Sequence, residues 1–179
     1  MTAIKRLLER VLRCLMTPAR HHCVRRDGTV DVSGRMQMPN SQFLPLVADA
    51  LAQGHTAVIW VKGYSMRPFL EHERDRVKLA HTQEVHVGDA VLAQVSRGHY
   101  VLHRVLHREG HLLTLQGDGN LSGVEHCCLD DVCGVVIEYI RPGRTIQAAD
   151  PRLCRRIRLW RALRPVRRVL LFIYRATLP

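Results

Sequence analysis

Short β-rich runs separated by glycines fill the middle of the chain, and they limit the fold more than any other feature. From Thr56 onward, β-branched and apolar residues cluster in stretches whose length and composition are typical of strands. The runs cover residues 58–61, 77–80, 90–95, 100–106, 112–116 and 132–140. Turn signals separate several of them, at Gly88, Gly98, Gly110 and Gly117. Several short strands at close spacing predict a mainly β domain, built as an antiparallel or barrel-like sheet.

Amphipathic helical patterns flank the β-rich region, so the whole chain is predicted to be α+β. Before that region, Ser41 is placed to cap a helix that Gly54 would end. After it, the sheet pattern stops at Pro142 and Gly143.

The C-terminal pattern is that of a helix with an apolar stripe. Asp150 and Pro151 suit its N-cap and first helical position, and Pro165 should interrupt it. The stripe consists of Leu153, Ile157, Trp160 and Leu163. Residues 1–16 show a second amphipathic pattern, with basic residues opposite the apolar side. The predicted division is a basic helix and linker over 1–40, the globular domain over 41–145 and basic C-terminal helices over 146–179.

Positive charge is concentrated in the two flanks. Residues 151–179 contain nine Arg and no acid, and residues 1–39 contain eight Lys or Arg against three acids. Residues 40–150 contain ten basic and thirteen acidic residues. Basic flanks favour a polyanionic partner, either nucleic acid or an anionic membrane surface. The apolar stripes fit both a helix that packs on the domain and a helix that lies on a membrane. Nucleic acid is not expected, because residues 1–55 show no helix-turn-helix pattern.

The cysteines and the N-terminal residues indicate where in the cell the protein is located. Six Cys are irregularly placed, and residues 1–16 lack the continuous apolar core of a cleavable signal peptide. No run approaches the roughly 18 apolar residues of a membrane-spanning helix. These observations predict reduced thiols and a cytoplasmic protein, with peripheral attachment at the inner membrane face as an option.

A tight turn directly after the first β-rich run carries Ser65. A serine hydroxyl is a weak nucleophile unless a base takes its proton, so this turn needs a partner elsewhere in the chain. His103, within the run 100–106, is the candidate base. Lys62 is the alternative, but three residues from Ser65 it has no obvious route to the hydroxyl.

Five motifs in a fixed order resemble those of the LexA and signal-peptidase superfamily. The resemblance covers roughly residues 56–141, and it is closest to the endoplasmic-reticulum and archaeal signal peptidases, where a His replaces a Lys. The motifs are Gly63-x-Ser65-Met66-x-Pro68, Gly88-Asp89-x-Val91, His103-Arg104-Val105, Gly117-Asp118-x-Asn120 and Asp131-Val132-x-Gly134.

The resemblance implies a coiled antiparallel β fold and a serine endopeptidase that needs no cofactor. Ser65 would attack the scissile carbonyl while His103 removes its proton and later protonates the leaving amine. The backbone at Ser65, with groups near Gly63 and Met66, would stabilise the oxyanion and contact the substrate.

The acid that orients His103 stays open at this point. In the His-type signal peptidases an Asp pair follows the Gly-Asp-x-Asn turn, whereas here the stretch 121–125 ends in Glu125. Glu125 can substitute for that pair, or Asp118 itself can serve.

A zinc site is the other chemistry considered, at His126, Cys127, Cys128 and Cys133. The spacing lacks a Cys-x-x-Cys pair, and adjacent Cys on a strand point to opposite faces. The sequence therefore predicts packing thiols and no metal.

The leading hypothesis is an endopeptidase that holds an extended peptide or protein segment, such as a leader or signal-like sequence, against an edge strand beside Ser65. Ser65 and His103 are then expected close together at one edge of the β domain. Two alternatives remain: a LexA-like self-cleaving regulatory or DNA-associated protein, and an inactive peptide-binding scaffold.

Overall fold

The computed structural model describes residues 39–177 as eight strands and three helices. The helices are α1 (Asn40–Ala52), α2 (Pro151–Ala162) and α3 (Arg167–Thr177). The strands are β1 (Ala57–Trp60), β2 (Arg76–Ala80), β3 (Ala90–Ser96), β4 (His99–Glu109), β5 (Leu112–Gln116), β6 (Glu125–Cys128), β7 (Val132–Arg141) and β8 (Arg144–Gln147). Short 3-10 turns cover Leu129–Asp131 and Arg164–Val166. The predicted N-terminal helix and most of its linker lie outside the described residues.

One antiparallel sheet contains all eight strands. Its order is β1-β2-β7-β3-β4-β5-β6, and β8 pairs with β7 as well. The predicted mainly β, antiparallel architecture with flanking helices is confirmed. β1 stands at one end of the order, so among residues 39–177 it pairs only with β2.

Two strands and one helix start differ from the sequence prediction. The prediction that the sheet pattern stops at Pro142 is wrong, because Pro142 and Gly143 form the turn of a hairpin in which Arg141 pairs with Arg144. Gly143 has φ +75°, which suits the third position of such a turn. β6 is also unpredicted, because its Glu-His-Cys-Cys sequence carries no β-branched residue. Ser41 is not the N-cap of α1: the cap is Pro39, whose carbonyl accepts the N–H groups of residues 42 and 43.

Apolar clusters cover both faces of the sheet, and alternate residues of one strand belong to different faces. Leu92 lies in the cluster that includes α1, whereas its neighbour Val91 lies in the second cluster together with Val105. His103 is two residues from Val105 on β4 and pairs with Val91 of β3. His103 therefore lies on the face of the second cluster, and Arg104 on the opposite face.

Helices α2 and α3 pack on the first of these faces. Asp150 caps α2 as predicted, accepting the N–H groups of Arg152 and Leu153, and the helix ends before Pro165 as predicted. The apolar stripe of α2 is buried in the same cluster as the sheet residues, with Trp160 fully buried. The interpretation of this stripe as a lipid contact is therefore wrong, since the sheet already covers it. None of the helices within residues 39–177 is long and apolar enough to cross a bilayer.

Candidate active site

Ser65 lies in the loop between β1 and β2, in a turn that hydrogen bonds hold from two sides. On one side, the N–H of Val61 donates to the carbonyl of Asp75 at 3.0 Å. On the other, the N–H of Gly119 donates to the carbonyl of Ser65 at 2.7 Å. Gly63 has φ +87°, in the left-handed region that favours glycine. The backbone around Ser65 is thereby fixed against the 117–120 turn.

Gly117 brings Ser65 and His103 into the same part of the structure. A Cβ at Gly117 would lie 2.4 Å from the carbonyl oxygen of Ser65 and 2.9 Å from its Cβ. Arg104 pairs with Gln116, the last residue of β5, so continuing this register by one residue would set Gly117 opposite His103. Ser65 therefore packs on the residue that directly follows β5, one position beyond the pair that Arg104 forms with Gln116.

His103 forms its side-chain hydrogen bond with Glu125. The distance from Nδ1 to Oε2 is 2.8 Å, and the imidazole is buried while the carboxylate is partly exposed. Leu115 of β5 pairs with both Val105 and Glu125, so the carboxylate reaches His103 diagonally across β5. This bond orients the ring and leaves Nε2 as the nitrogen that can exchange a proton with a hydroxyl.

Asp118, the other acid that the sequence left open, is engaged elsewhere. Its carboxylate accepts hydrogen bonds from Arg104 Nε at 2.8 Å and from Nη2 at 2.6 Å, with both side chains buried. Burial disfavours the charged form of Arg104, but Asp118 and Tyr139 outweigh it and raise the pKa of Arg104. Arg104 lies on the face opposite His103, so of the two candidate acids only Glu125 is hydrogen-bonded to His103. Asp118 instead joins the 117–120 turn to α2, because its carbonyl accepts Trp160 Nε1–H at 2.9 Å.

The predicted oxyanion groups differ in their availability. The N–H of Gly63 already donates to His72 Nδ1 at 3.0 Å. The N–H groups of Ser65 and Met66 form no hydrogen bond within residues 39–177. Met66 has a side chain buried in the core, which fixes its backbone. Ser65 and Met66 are thus the better-placed donors for a developing oxyanion.

Lys62, the alternative base, is exposed and lines a groove that also contains Tyr100 and Leu102. Along β4 these two side chains alternate with His103 and point to the other face. The groove containing Lys62 therefore lies on the opposite side of β4 from His103.

The cysteines of the zinc hypothesis are spread over different environments. Cys127 is buried, Cys128 is exposed and Cys133 is intermediate. Burial is the main cause that raises the pKa of the Cys127 thiol to about 11, which disfavours the thiolate that binds zinc. No cluster of three or more potential metal ligands occurs in the part of the chain that the structure describes.

Sequence analysis did not predict a cluster of charged residues in the segment that follows Ser65. Asp75 is fully buried and Glu71 nearly so. Arg67 donates to Glu71 at 2.8 Å and 3.0 Å, and Arg74 donates to Asp75 at 2.8 Å and 2.9 Å. The hydroxyl of Tyr174 on α3 donates to Glu71 at 2.6 Å, and burial followed by this bond raises the pKa of Tyr174. The i, i+4 spacing of Arg67 and Glu71 is the only signal in the sequence, and it stands in a segment without a helical pattern.

Gly117→Ala is expected to lower the free energy of unfolding by about 1–3 kcal/mol, the usual effect of overpacking. The added methyl group would meet the backbone carbonyl of Ser65, which cannot rotate away as a side-chain end can. Urea denaturation measures the loss, and Ser122→Ala, at an exposed position of the following loop, should stay within about 0.5 kcal/mol of the wild type. Equal stability of the two variants would mean that Ser65 does not pack on Gly117.

The structure shows a carboxylate hydrogen-bonded to the imidazole of His103, and Ser65 packed on Gly117, which directly follows the strand paired with β4. Such a set can activate a hydroxyl as a nucleophile for acyl transfer. Comparison of the chain with protein-family models, curated proteins and solved structures found no match.

Proposed function

We propose that this chain is a serine endopeptidase of the LexA and signal-peptidase type, with Ser65 as nucleophile and His103 as general base. The observation that carries the proposal is the 2.8 Å hydrogen bond between His103 and Glu125, next to the glycine on which Ser65 packs. A histidine that only filled space in the core would not require a carboxylate from a strand two positions away in the sheet. The ordered motifs around these residues and the antiparallel sheet support the same assignment.

The catalytic steps follow from the orientation of the ring. Ser65 Oγ attacks the carbonyl carbon of the scissile peptide while His103 Nε2 takes the hydroxyl proton. Glu125 holds Nδ1–H and stabilises the imidazolium, and the N–H groups of Ser65 and Met66 stabilise the oxyanion. Collapse of the intermediate breaks the C–N bond, and the imidazolium gives its proton to the leaving amine. Water, deprotonated by His103, then hydrolyses the acyl-enzyme and restores the Ser65 hydroxyl.

A groove along β1 supports an extended peptide as the substrate. It has a volume of about 190 Å³ and runs beside β1 to Lys62, three residues before Ser65. Its apolar lining includes Phe43, Trp60 and Leu102. An extended segment can lie along β1, which stands at one end of the sheet order among residues 39–177, with alternate side chains in this groove and the intervening ones on the face of the sheet that carries His103. A leader or signal-like segment with small or apolar residues next to the cleavage site fits this arrangement.

Glu125→Gln is expected to lower kcat for peptide hydrolysis by roughly 10²- to 10⁴-fold, because the amide no longer stabilises the imidazolium. Stability should change little, since about a third of the Glu125 side chain is exposed to solvent. Steady-state hydrolysis of a peptide substrate measures the effect. Glu109→Gln is the matched control, because Glu109 also forms a hydrogen bond with a histidine of β4, at 3.0 Å to His107, but on the exposed surface.

The control variant should retain wild-type turnover. Wild-type turnover in Glu125→Gln would show that the carboxylate does not orient the base. A large loss in Glu109→Gln as well would show that the assay reports general damage to β4.

A further inference from the structure

Four arginines surround a cavity at the corner between α2 and α3. The cavity has a volume of about 250 Å³ and lies beside Leu106 and Gln116. The four are Arg158, Arg161, Arg164 and Arg167. We call this site the arginine cavity. Among the described residues that line it, none is acidic.

Arg167 is the most constrained of the four. Only 3% of its surface is exposed, and its Nε is buried without a hydrogen-bond partner among the described residues. Its two terminal nitrogens donate long hydrogen bonds, at 3.4 Å to the carbonyl of Asn120 and at 3.5 Å to that of Trp160. Arg161 donates to the carbonyl of Leu106 at 3.0 Å. Within residues 39–177, the hydrogen-bond acceptors of these two guanidinium groups are thus all neutral carbonyls.

The carboxylate of Asp118, which acts on Arg167 electrostatically, does not balance this charge. Burial is the main cause that lowers the pKa of Arg167; Asp118 opposes the shift, and Arg164 and Arg161 add to it. Asp118 is itself paired with Arg104 at 2.6 Å. A buried cation among like charges is unfavourable unless an anion compensates it.

We propose that the arginine cavity binds a phosphoryl group, supplied either as free phosphate or as the headgroup of an anionic phospholipid. Guanidinium groups match phosphate oxygens with paired N–H donors, and several of them converge here. α3 begins at Arg167, so its N-terminus adds partial positive charge at the same place. The cavity is below the roughly 300–1,000 Å³ of sites for larger organic ligands, which fits a small anion or headgroup.

Thermal unfolding of the full chain in increasing inorganic phosphate, at constant ionic strength set with chloride, tests this site. The wild-type midpoint should rise with phosphate. The double variant Arg158→Gln/Arg164→Gln changes two residues that are exposed in the structure. Its apparent Kd for phosphate should be at least tenfold higher than that of the wild type. The matched control is Arg155→Gln/Arg168→Gln, which removes the same charge from exposed positions of α2 and α3 outside the cavity. The control should bind phosphate as the wild type does, and the single variant Arg164→Gln provides the comparison if the double variant does not fold.

Cosedimentation with vesicles distinguishes the two sources of the phosphoryl group. Binding to phosphatidic acid vesicles, but not to pure phosphatidylcholine, with loss in Arg158→Gln/Arg164→Gln only, identifies a lipid headgroup. A phosphate effect without such vesicle binding identifies a free anion. Equal behaviour of the two double variants in both assays, or no response to either probe, would overturn the proposal.

Discussion

Replacing Ser65 or His103 by Ala is expected to lower the turnover of peptide hydrolysis by about a thousandfold or more in each case. The hydroxyl supplies the attacking oxygen and the imidazole supplies the proton acceptor, so neither works without the other. For the same reason, the double variant should be little worse than either single variant. Single-turnover and steady-state assays of the four proteins, completing a double-mutant cycle, measure this non-additivity.

Three substitutions serve as controls. Ser96→Ala and His107→Ala change the same residue types at exposed positions of β3 and β4 and should leave turnover unchanged. Lys62→Ala should leave kcat nearly unchanged, because the groove that contains Lys62 lies on the opposite side of β4 from His103. Any loss should appear in KM, since the same groove is proposed to hold the substrate. Full activity in His103→Ala together with loss in Lys62→Ala would assign the chain to the Ser/Lys type of peptidase.

Trp160→Ala is expected to lower the free energy of unfolding by about 3–5 kcal/mol, as is usual for a large aromatic residue in a core. Trp160 is fully buried, and its indole N–H donates to the carbonyl of Asp118 at 2.9 Å. Its ring also packs edge-to-face on Phe69, with the ring centroids 6.3 Å apart. The variant loses this packing and leaves the Asp118 carbonyl without the indole donor. Urea denaturation measures the change.

Phe172 provides the matched aromatic control. It lies on α3 with 74% of its surface exposed, so Phe172→Ala should change stability by no more than about 0.5 kcal/mol. A Trp160→Ala variant as stable as Phe172→Ala would mean that the C-terminal helices are not part of the core. With the packing observed, removal of residues 151–179 should unfold the domain.

The strands of the central sheet could be predicted because their residues favour strands by themselves. β2, β3, β5 and β7 each contain several Val, Leu or Ile residues, and along β3 neighbouring residues alternate between the two apolar clusters. β6 is held by its pairing with β5, where Leu113 opposes Cys127. That pairing is a tertiary property, and no local pattern at 125–128 indicates it.

The choice between the two acids depended on the same pairing. In the sequence, Asp118 stands in the motif itself, whereas Glu125 lies seven residues later in a stretch that departs from the family pattern. Only the antiparallel register of β4, β5 and β6 shows that Glu125 reaches His103 and that Asp118 faces Arg104. Residues that are close in sequence can point to opposite faces of a sheet, and the spacing of the motifs does not show which face each side chain takes.

The C-terminal stripe shows a different limit of sequence reasoning. An apolar stripe opposite basic residues is typical both of a helix that packs on a domain and of a helix that lies on a membrane. Leu153, Ile157 and Trp160 have the same spacing in either case, and only their burial against the sheet distinguishes the two.

The central claim, that Ser65 cleaves peptide bonds with the help of His103, is tested most directly with a mixed library of proteome-derived peptides. The library is incubated with the wild-type protein, with Ser65→Ala or with His103→Ala, and newly formed peptide termini are identified by mass spectrometry. The account predicts a set of new termini that share a residue pattern, that form with the wild type and with Ser96→Ala, and that are absent with both active-site variants. The same termini in the Ser65→Ala reaction, or no new termini with the wild type, would contradict it.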